Sequence, residues 1–157
     1  MTPPSSTPPS SPRSPVTSDA APVPIPVPNP DNAGFWEGCA RGELRLQRCG
    51  RCAAWRHHPR PMCPACGSRE YEWGLASGRG VVHTFTIVHH PTLPAFDARV
   101  PYNVIAVALD EGVFMVSNLV DCPREAIRIG MPVEVVFEPL ADGIALPKFR
   151  PRRGGGQ

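Results

Sequence analysis

Cys49-Gly-Arg-Cys52 and Cys63-Pro-Ala-Cys66 stand ten residues apart, two C-x2-C knuckles close enough to clasp a single metal ion. Each knuckle aims two thiolates at a common point, and a pair of knuckles supplies the four soft ligands of a closed tetrahedral site. The spacing therefore predicts a structural Zn2+ ribbon held by Cys49, Cys52, Cys63 and Cys66. Iron takes the same ligand set, and the sequence leaves that choice open. Four cysteine ligands leave no position for water, which argues against a catalytic metal. Two disulfides would need an oxidising compartment, and the first residues carry neither the basic start nor the unbroken apolar core of a secretory leader. Redox chemistry from a C-x2-C motif is disfavoured because the motifs come as a pair and no helical pattern follows either one. Cys39 and Cys122 fall outside the spacing and read as small buried or half-buried residues.

Around this clasp the chain divides by composition. Of its 22 prolines, half lie within residues 1–30, a stretch with almost no charge and no aromatic side chain. Such a segment buries too little apolar surface to offset its ordering entropy, so residues 1–30 are expected as a disordered tail, extended through Val23 to Pro28. Residues 31–76 are expected to hold a short helix and the ribbon, residues 77–150 a second, all-β unit, and residues 151–157 a basic, glycine-rich tail. The net charge of +2 does not mark the whole chain as a ligand for polyanions. No stretch approaches the length of a membrane span, and a soluble, cytoplasmic protein is the expectation.

Asp31 or Asn32 is placed to cap a helix from Ala33 to Glu37 that carries Phe35 and Trp36. Residues 43–48 alternate in polarity and predict a strand entering the first knuckle. Residues 55–61 read as a loop with two prolines, and Tyr71-Glu72-Trp73 as the start of a returning strand. Strands are then predicted at Val81–His90, Tyr102–Leu109, Val113–Val120, around Val133–Phe137 and at Ile144–Phe149. In the first of these, strict alternation puts Val81, His83, Phe85 and Ile87 on one face and Val82, Thr84, Thr86 and Val88 on the other. Residues 123–129 are expected to include one helical turn, and 91–101 to be a proline-bearing loop. The predicted fold is mainly β: a helix and zinc ribbon followed by a five-stranded barrel of the OB type, closed so that no sheet edge is exposed.

Several short motifs occur in a fixed order: Phe35-Trp36-Glu37-Gly38, Gly42-Glu43-Leu44, the two knuckles, Ser77-Gly78-Arg79-Gly80, Pro101-Tyr102, Leu109-Asp110-Glu111-Gly112 and Ile129-Gly130-Met131-Pro132-Val133. Together they resemble the family known as domain of unknown function 35, a rubredoxin-like zinc ribbon joined to an acyl-CoA-associated OB fold. The resemblance spans about residues 28–151, and it departs at Ala53, where a glycine commonly follows the second cysteine. It implies an accessory subunit that assembles with a thiolase-like enzyme or a hot-dog-fold hydratase acting on acyl-CoA thioesters, in steroid or fatty acyl-CoA metabolism. The catalytic residues would then belong to the partner.

The residues agree with a non-catalytic role. No Gly-x-Ser-x-Gly elbow, phosphate loop or dinucleotide fingerprint is present. The adjacent pairs His57-His58 and His89-His90 point to opposite sides of the backbone if extended, which makes each a poor metal chelate. His83 reads either as a ligand-facing or as a half-exposed strand residue. For the phosphates of CoA, the cations nearest the barrel rims are Arg79, Arg99, Lys148 and Arg150. Phe35 and Trp36 suit either a partner's groove or the chain's own barrel. A single-stranded nucleic-acid-binding module is the competing function, since ribbons and OB barrels both serve it, but Asp110, Glu111, Glu134 and Glu138 stand where a basic stripe is needed. An independent acyl-CoA enzyme, lidded by residues 91–101, is the third reading.

Overall fold

The computed structural model describes residues 22–141 and 143–152. Helix α1 (Ala33–Ala40) leads into β1 (Arg45–Cys49), β2 (Trp55–Arg56) and β3 (Tyr71–Leu75). The chain then forms β4 (Arg79–Val88), a 3-10 turn at Pro94–Arg99, β5 (Tyr102–Leu109), β6 (Phe114–Ser117), a second 3-10 turn at Arg124–Ala126, β7 (Pro132–Ala141) and β8 (Ile144–Pro151). Two antiparallel sheets result, ordered β2-β1-β3 and β6-β5-β4-β7-β8.

The second sheet curls until the residues after β6 meet β8. Leu119 and Phe149 form a parallel bridge there, with Phe149 N–H donating to the Asn118 carbonyl at 3.0 Å and Val120 N–H to the Phe149 carbonyl at 2.7 Å. Asn103, buried in β5, secures this seam: its amide donates to the Leu119 carbonyl at 2.8 Å and accepts the Leu119 N–H at 2.6 Å. Both halves of a buried amide are thereby satisfied. The closure is partial, so the expectation of a barrel without exposed edges is corrected. Strand β6 pairs only with β5, and its other edge has no second ladder.

Other differences from the sequence reading have local causes. Trp55–Arg56, read as loop, pairs as β2 with Arg48 and Gln47. Helix α1 runs on to Ala40, and neither Asp31 nor Asn32 caps it with a side chain; the Asn32 side chain instead accepts the Asn29 N–H at 2.7 Å. In β4 a bulge between Val82 and Thr84 resets the alternation, so that Val82 is buried before it and Phe85 and Ile87 pack inward after it. An extra residue in one strand flips every later side chain. Val81, assigned by strict alternation to the same face as Phe85, is exposed. Residues 22–30, expected within the disordered tail, run without helix or strand, and Val23, Pro24 and Pro26 line a cavity beside the barrel. Residues 1–21 of that tail, and 153–157 of the other, lie outside the described residues.

Ribbon and barrel share one core. Phe35, Cys39, Leu44 and Leu46 join Val82, Ile105, Val107, Leu119, Val133 and Phe149 in a single buried cluster. Helix α1 touches β1 of the ribbon and both β7 and β8 of the barrel. Phe35 is 6% exposed and Trp36 half-buried against this cluster, so the aromatic pair packs on the chain's own barrel. In β5, inward Asn103, Ile105, Val107 and Leu109 alternate with outward residues, the pattern of a sheet with one covered face.

Gly80 marks the tightest approach between β4 and β5. A Cβ there would be driven into the Ala108 carbonyl oxygen and to within 2.9 Å of the Val107 side chain. Backbone in a paired strand cannot step aside, so Gly80→Ala should destabilise the protein by about 1–3 kcal/mol, measured by chemical denaturation. Unchanged stability would show that the β4–β5 pair has more room than described.

Candidate metal centre and barrel surfaces

The two knuckles fold alike. Ala53 N–H donates to the Cys49 carbonyl at 3.0 Å and Cys49 N–H to the Ala54 carbonyl at 2.9 Å. In the second knuckle Gly67 N–H donates to the Cys63 carbonyl at 2.9 Å and Cys63 N–H to the Ser68 carbonyl at 2.8 Å. Gly50 N–H reaches the Glu70 carbonyl at 3.0 Å and ties one knuckle to the chain leaving the other. The four Sγ atoms consequently lie within 4.8 Å of one another, with Cys49 to Cys66 at 3.6 Å and Cys52 to Cys63 at 3.7 Å. A tetrahedron with ~2.3 Å metal–sulfur bonds has edges of roughly 3.8 Å, so the pairs at 3.6 and 3.7 Å already match it and the wider ones, within 4.8 Å, have only to draw in around an ion.

Their electrostatics point the same way. The backbone N–H of Cys52 pulls the Cys49 thiol down to about 6. Burial works against ionisation of Cys63, yet the N–H groups of Ala65 and Cys66 lower it overall. Cys52 is favoured by the N–H of Ala54, but the Cys66 sulfur, burial, and the sulfurs of Cys49 and Cys63 together push it up to about 11. Some thiolates are prepared and the others repelled by them, an arrangement that a cation among the sulfurs resolves. Cys39 is outside the cluster, 1% exposed, and pushed up to about 12 by burial, and Cys122 is also remote from it. Among the described residues no other group of three or more His, Cys, Asp or Glu side chains converges in this way.

The histidines form no second centre. His57 and His58 stack at 4.3 Å, and burial, followed by the neighbouring His58, lowers His57 to about 4. His83 sits in the bulge, exposed, 4.8 Å from the Phe114 ring, and His89 and His90 are exposed beyond the end of β4. Of the four cations considered for CoA, the structure brings together two. Arg99 and Lys148 line one cavity of about 540 Å3, bounded also by Phe96, Tyr102 and Arg124. Arg150 lies elsewhere, paired with Glu134 at 2.8 Å, and Arg79 stands opposite the same Glu134 in the β4–β7 register. Arg124 was missed by the sequence reading because a loop position with no periodicity gives no sign of what it will face.

Two cross-strand rows on the outer surface of β4, β5 and β6 carry no charge. Val81, Ala108 and Phe114 form one cross-strand row, and Thr84, Ala106 and Val116 the next. Val81 is 40%, Phe114 53% and Val116 62% exposed. A nucleic-acid backbone would find no counter-charge in these two rows.

A four-cysteine ribbon fused to an OB-like half-barrel defines the class of protein. Residues 36–72 match the ChsH2 rubredoxin-like zinc ribbon domain, and residues 73–138 the ChsH2 C-terminal OB-fold domain. The chain is 42% identical over 98 residues to a DUF35 domain-containing scaffold protein of Pyrococcus furiosus, covering 59% of this chain and 71% of that protein. It is 41% identical over 128 residues to a probable enoyl-CoA hydratase alpha subunit of Thermomonospora curvata, covering 82% of this chain but only 40% of that protein. Among solved structures it is similar to a chain of an Ltp2-ChsH2(DUF35) aldolase, with a TM-score of 0.73, 41% identity, and coverage of 81% of this chain and 98% of the other. The chain belongs to the DUF35 family, which the ordered motifs had suggested.

Ala53 adopts φ 59°, the equivalent of Gly67 at φ 72° in the other knuckle. A side chain is strained in that region, so Ala53→Gly should stabilise the metal-loaded protein by about 0.5–1 kcal/mol, and Gly67→Ala should destabilise it by a similar amount. Cys63→Ser should release the metal and unfold the ribbon, read by metal analysis and near-UV circular dichroism. A full equivalent of metal retained by Cys63→Ser would contradict the four-sulfur site.

Proposed function

We propose that this chain is a non-catalytic accessory subunit that assembles with a thiolase-like enzyme or a hydratase acting on acyl-CoA thioesters, with zinc as its structural metal and the cytoplasm as its place of work. The observation that carries the reading is the likeness, over 98% of its length, to the DUF35 chain of an aldolase with two named components. The hydratase relative supports it, because this chain corresponds to less than half of that alpha subunit. Closed four-cysteine coordination leaves the metal no free position for substrate, which gives it a structural role.

The two uncharged cross-strand rows on β4–β6 suit this role. Exposed Phe114 and Val116 on a half-paired strand offer apolar anchors and an open edge, the elements of a stable protein interface. We assign this face to the enzyme partner. Tagged protein purified from its native cells should bring down a thiolase-like enzyme or a hydratase subunit, identified by mass spectrometry. Phe114→Asp and Val116→Asp, which alter only exposed positions, should keep metal content and melting temperature and lower that recovery by about tenfold or more. Undiminished recovery by both variants would remove the face from the interface, and recovery of oligonucleotides in place of an enzyme would favour the nucleic-acid reading.

A further inference from the structure

Among the described residues Arg56 is the only basic side chain that is buried outright, at 3% exposed. It ends β2, where it pairs with Gln47 of β1. Alternation along β1 sets Gln47 and Cys49 on the same face, and Cys49 pairs in turn with Tyr71 of β3. The Arg56 guanidinium lies 5.2 Å from the centre of the Tyr71 ring, so the side chain spans β1 on the face that carries the Cys49 sulfur.

A buried guanidinium calls for an anion. Nη1 donates to the Arg60 carbonyl at 3.3 Å, while Nε and Nη2 are buried and reach no acceptor on the protein. Among the described residues Arg56 makes no ion pair. Its buried neighbour Gln47 is neutral; that amide accepts the Arg60 N–H at 2.9 Å and donates to the Asp31 carbonyl at 3.2 Å. The face of the Tyr71 ring attracts the cation but carries no net charge.

What Arg56 lacks, the metal centre has in excess. Four thiolates outnumber the charge of a divalent ion by two. Arg51 in the first knuckle and Arg69 after the second are exposed, so solvent and salt screen them, and Arg48 is shared with Glu72 at 3.9 Å. A fixed cation inside the protein is screened far less.

We propose that Arg56 is the charge-compensating residue of the four-sulfur centre: its buried guanidinium, held across β1 beside Gln47 and Tyr71, offsets the negative charge that the sulfurs gain with a metal among them. The role rests on the four-sulfur metal site described above. Arg56 is not a ligand and acts through its field. A fixed cation favours the more negative state of the centre, and with iron the ferrous state is more negative than the ferric by one charge, so Arg56 should raise the midpoint potential.

Full-length protein loaded with Zn2+ gives the affinity by chelator competition, and the same protein loaded with iron gives the midpoint potential. Arg56→Gln should weaken Zn2+ binding by about tenfold or more and lower the iron potential, and Arg56→Lys, which keeps the charge, should restore most of both. The potential shift should persist at high salt, whereas Arg69→Gln, the same change at an exposed position, should have a smaller effect that salt removes. Gln47→Glu, which sets a carboxylate beside the guanidinium, should lower the potential with Arg56 in place, and it decides the question if Arg56→Gln does not fold. An unchanged potential in Arg56→Gln or in Gln47→Glu would overturn the role. Equal losses in Arg56→Lys and Arg56→Gln would do the same, by showing that shape and not charge is at work. A wild-type chain that takes up no metal would overturn the four-sulfur site and this role with it.

Discussion

Four sulfurs within 4.8 Å of one another repel once ionised, and the ribbon depends on the cation that holds them together. Its strands contribute five, two and five residues, and much of the chain between them is exposed. So small a sheet has little apolar burial of its own. With the knuckles closed, Cys49 ends β1 and Tyr71 opens opposite it in β3, so the metal fixes the register of the ribbon's main pair. That pair presents Leu44 and Leu46 to α1 and the barrel, and the shared core continues from there to Phe149. Loss of the metal is therefore expected to reach beyond the knuckles into the packing of α1.

The legible parts of this architecture were those written in short-range pattern. Cysteine spacing announced the convergence of the four sulfurs because a knuckle is a local turn. The alternation of Asn103, Ile105, Val107 and Leu109 announced β5 because one face of it is covered. What escaped the sequence depends on partners far along the chain. Trp55–Arg56 is a strand only because Gln47 and Arg48 lie beside it, and the bulge at His83 is a property of the β4–β5 pairing. The proline-rich segment was read from composition as lacking a core to join, whereas Val23 and Pro26 use the surface supplied by the barrel. Arg99 and Lys148 were recognisable as cations, but their meeting with Arg124 required the fold.

One side of the half-barrel presents uncharged cross-strand rows bearing Phe114 and Val116, and another holds a cavity bordered by Arg99, Arg124 and Lys148. Arg79 and Arg150, both set around Glu134, lie apart from that cavity and contribute to local charge balance on the sheet. Among the described residues the one converging group of three or more His, Cys, Asp or Glu side chains is the four-sulfur site, and four cysteine ligands leave a metal there no position for substrate.

The most direct test is reconstitution. The thiolase-like or hydratase partner, this chain, and the two mixed in equal amounts should be assayed on the same acyl-CoA substrate. The accessory-subunit account predicts no turnover by this chain alone and a large rise in the partner's kcat/KM on mixing, saturating at a fixed ratio. Turnover by this chain alone, or a partner equally active without it, would contradict the account.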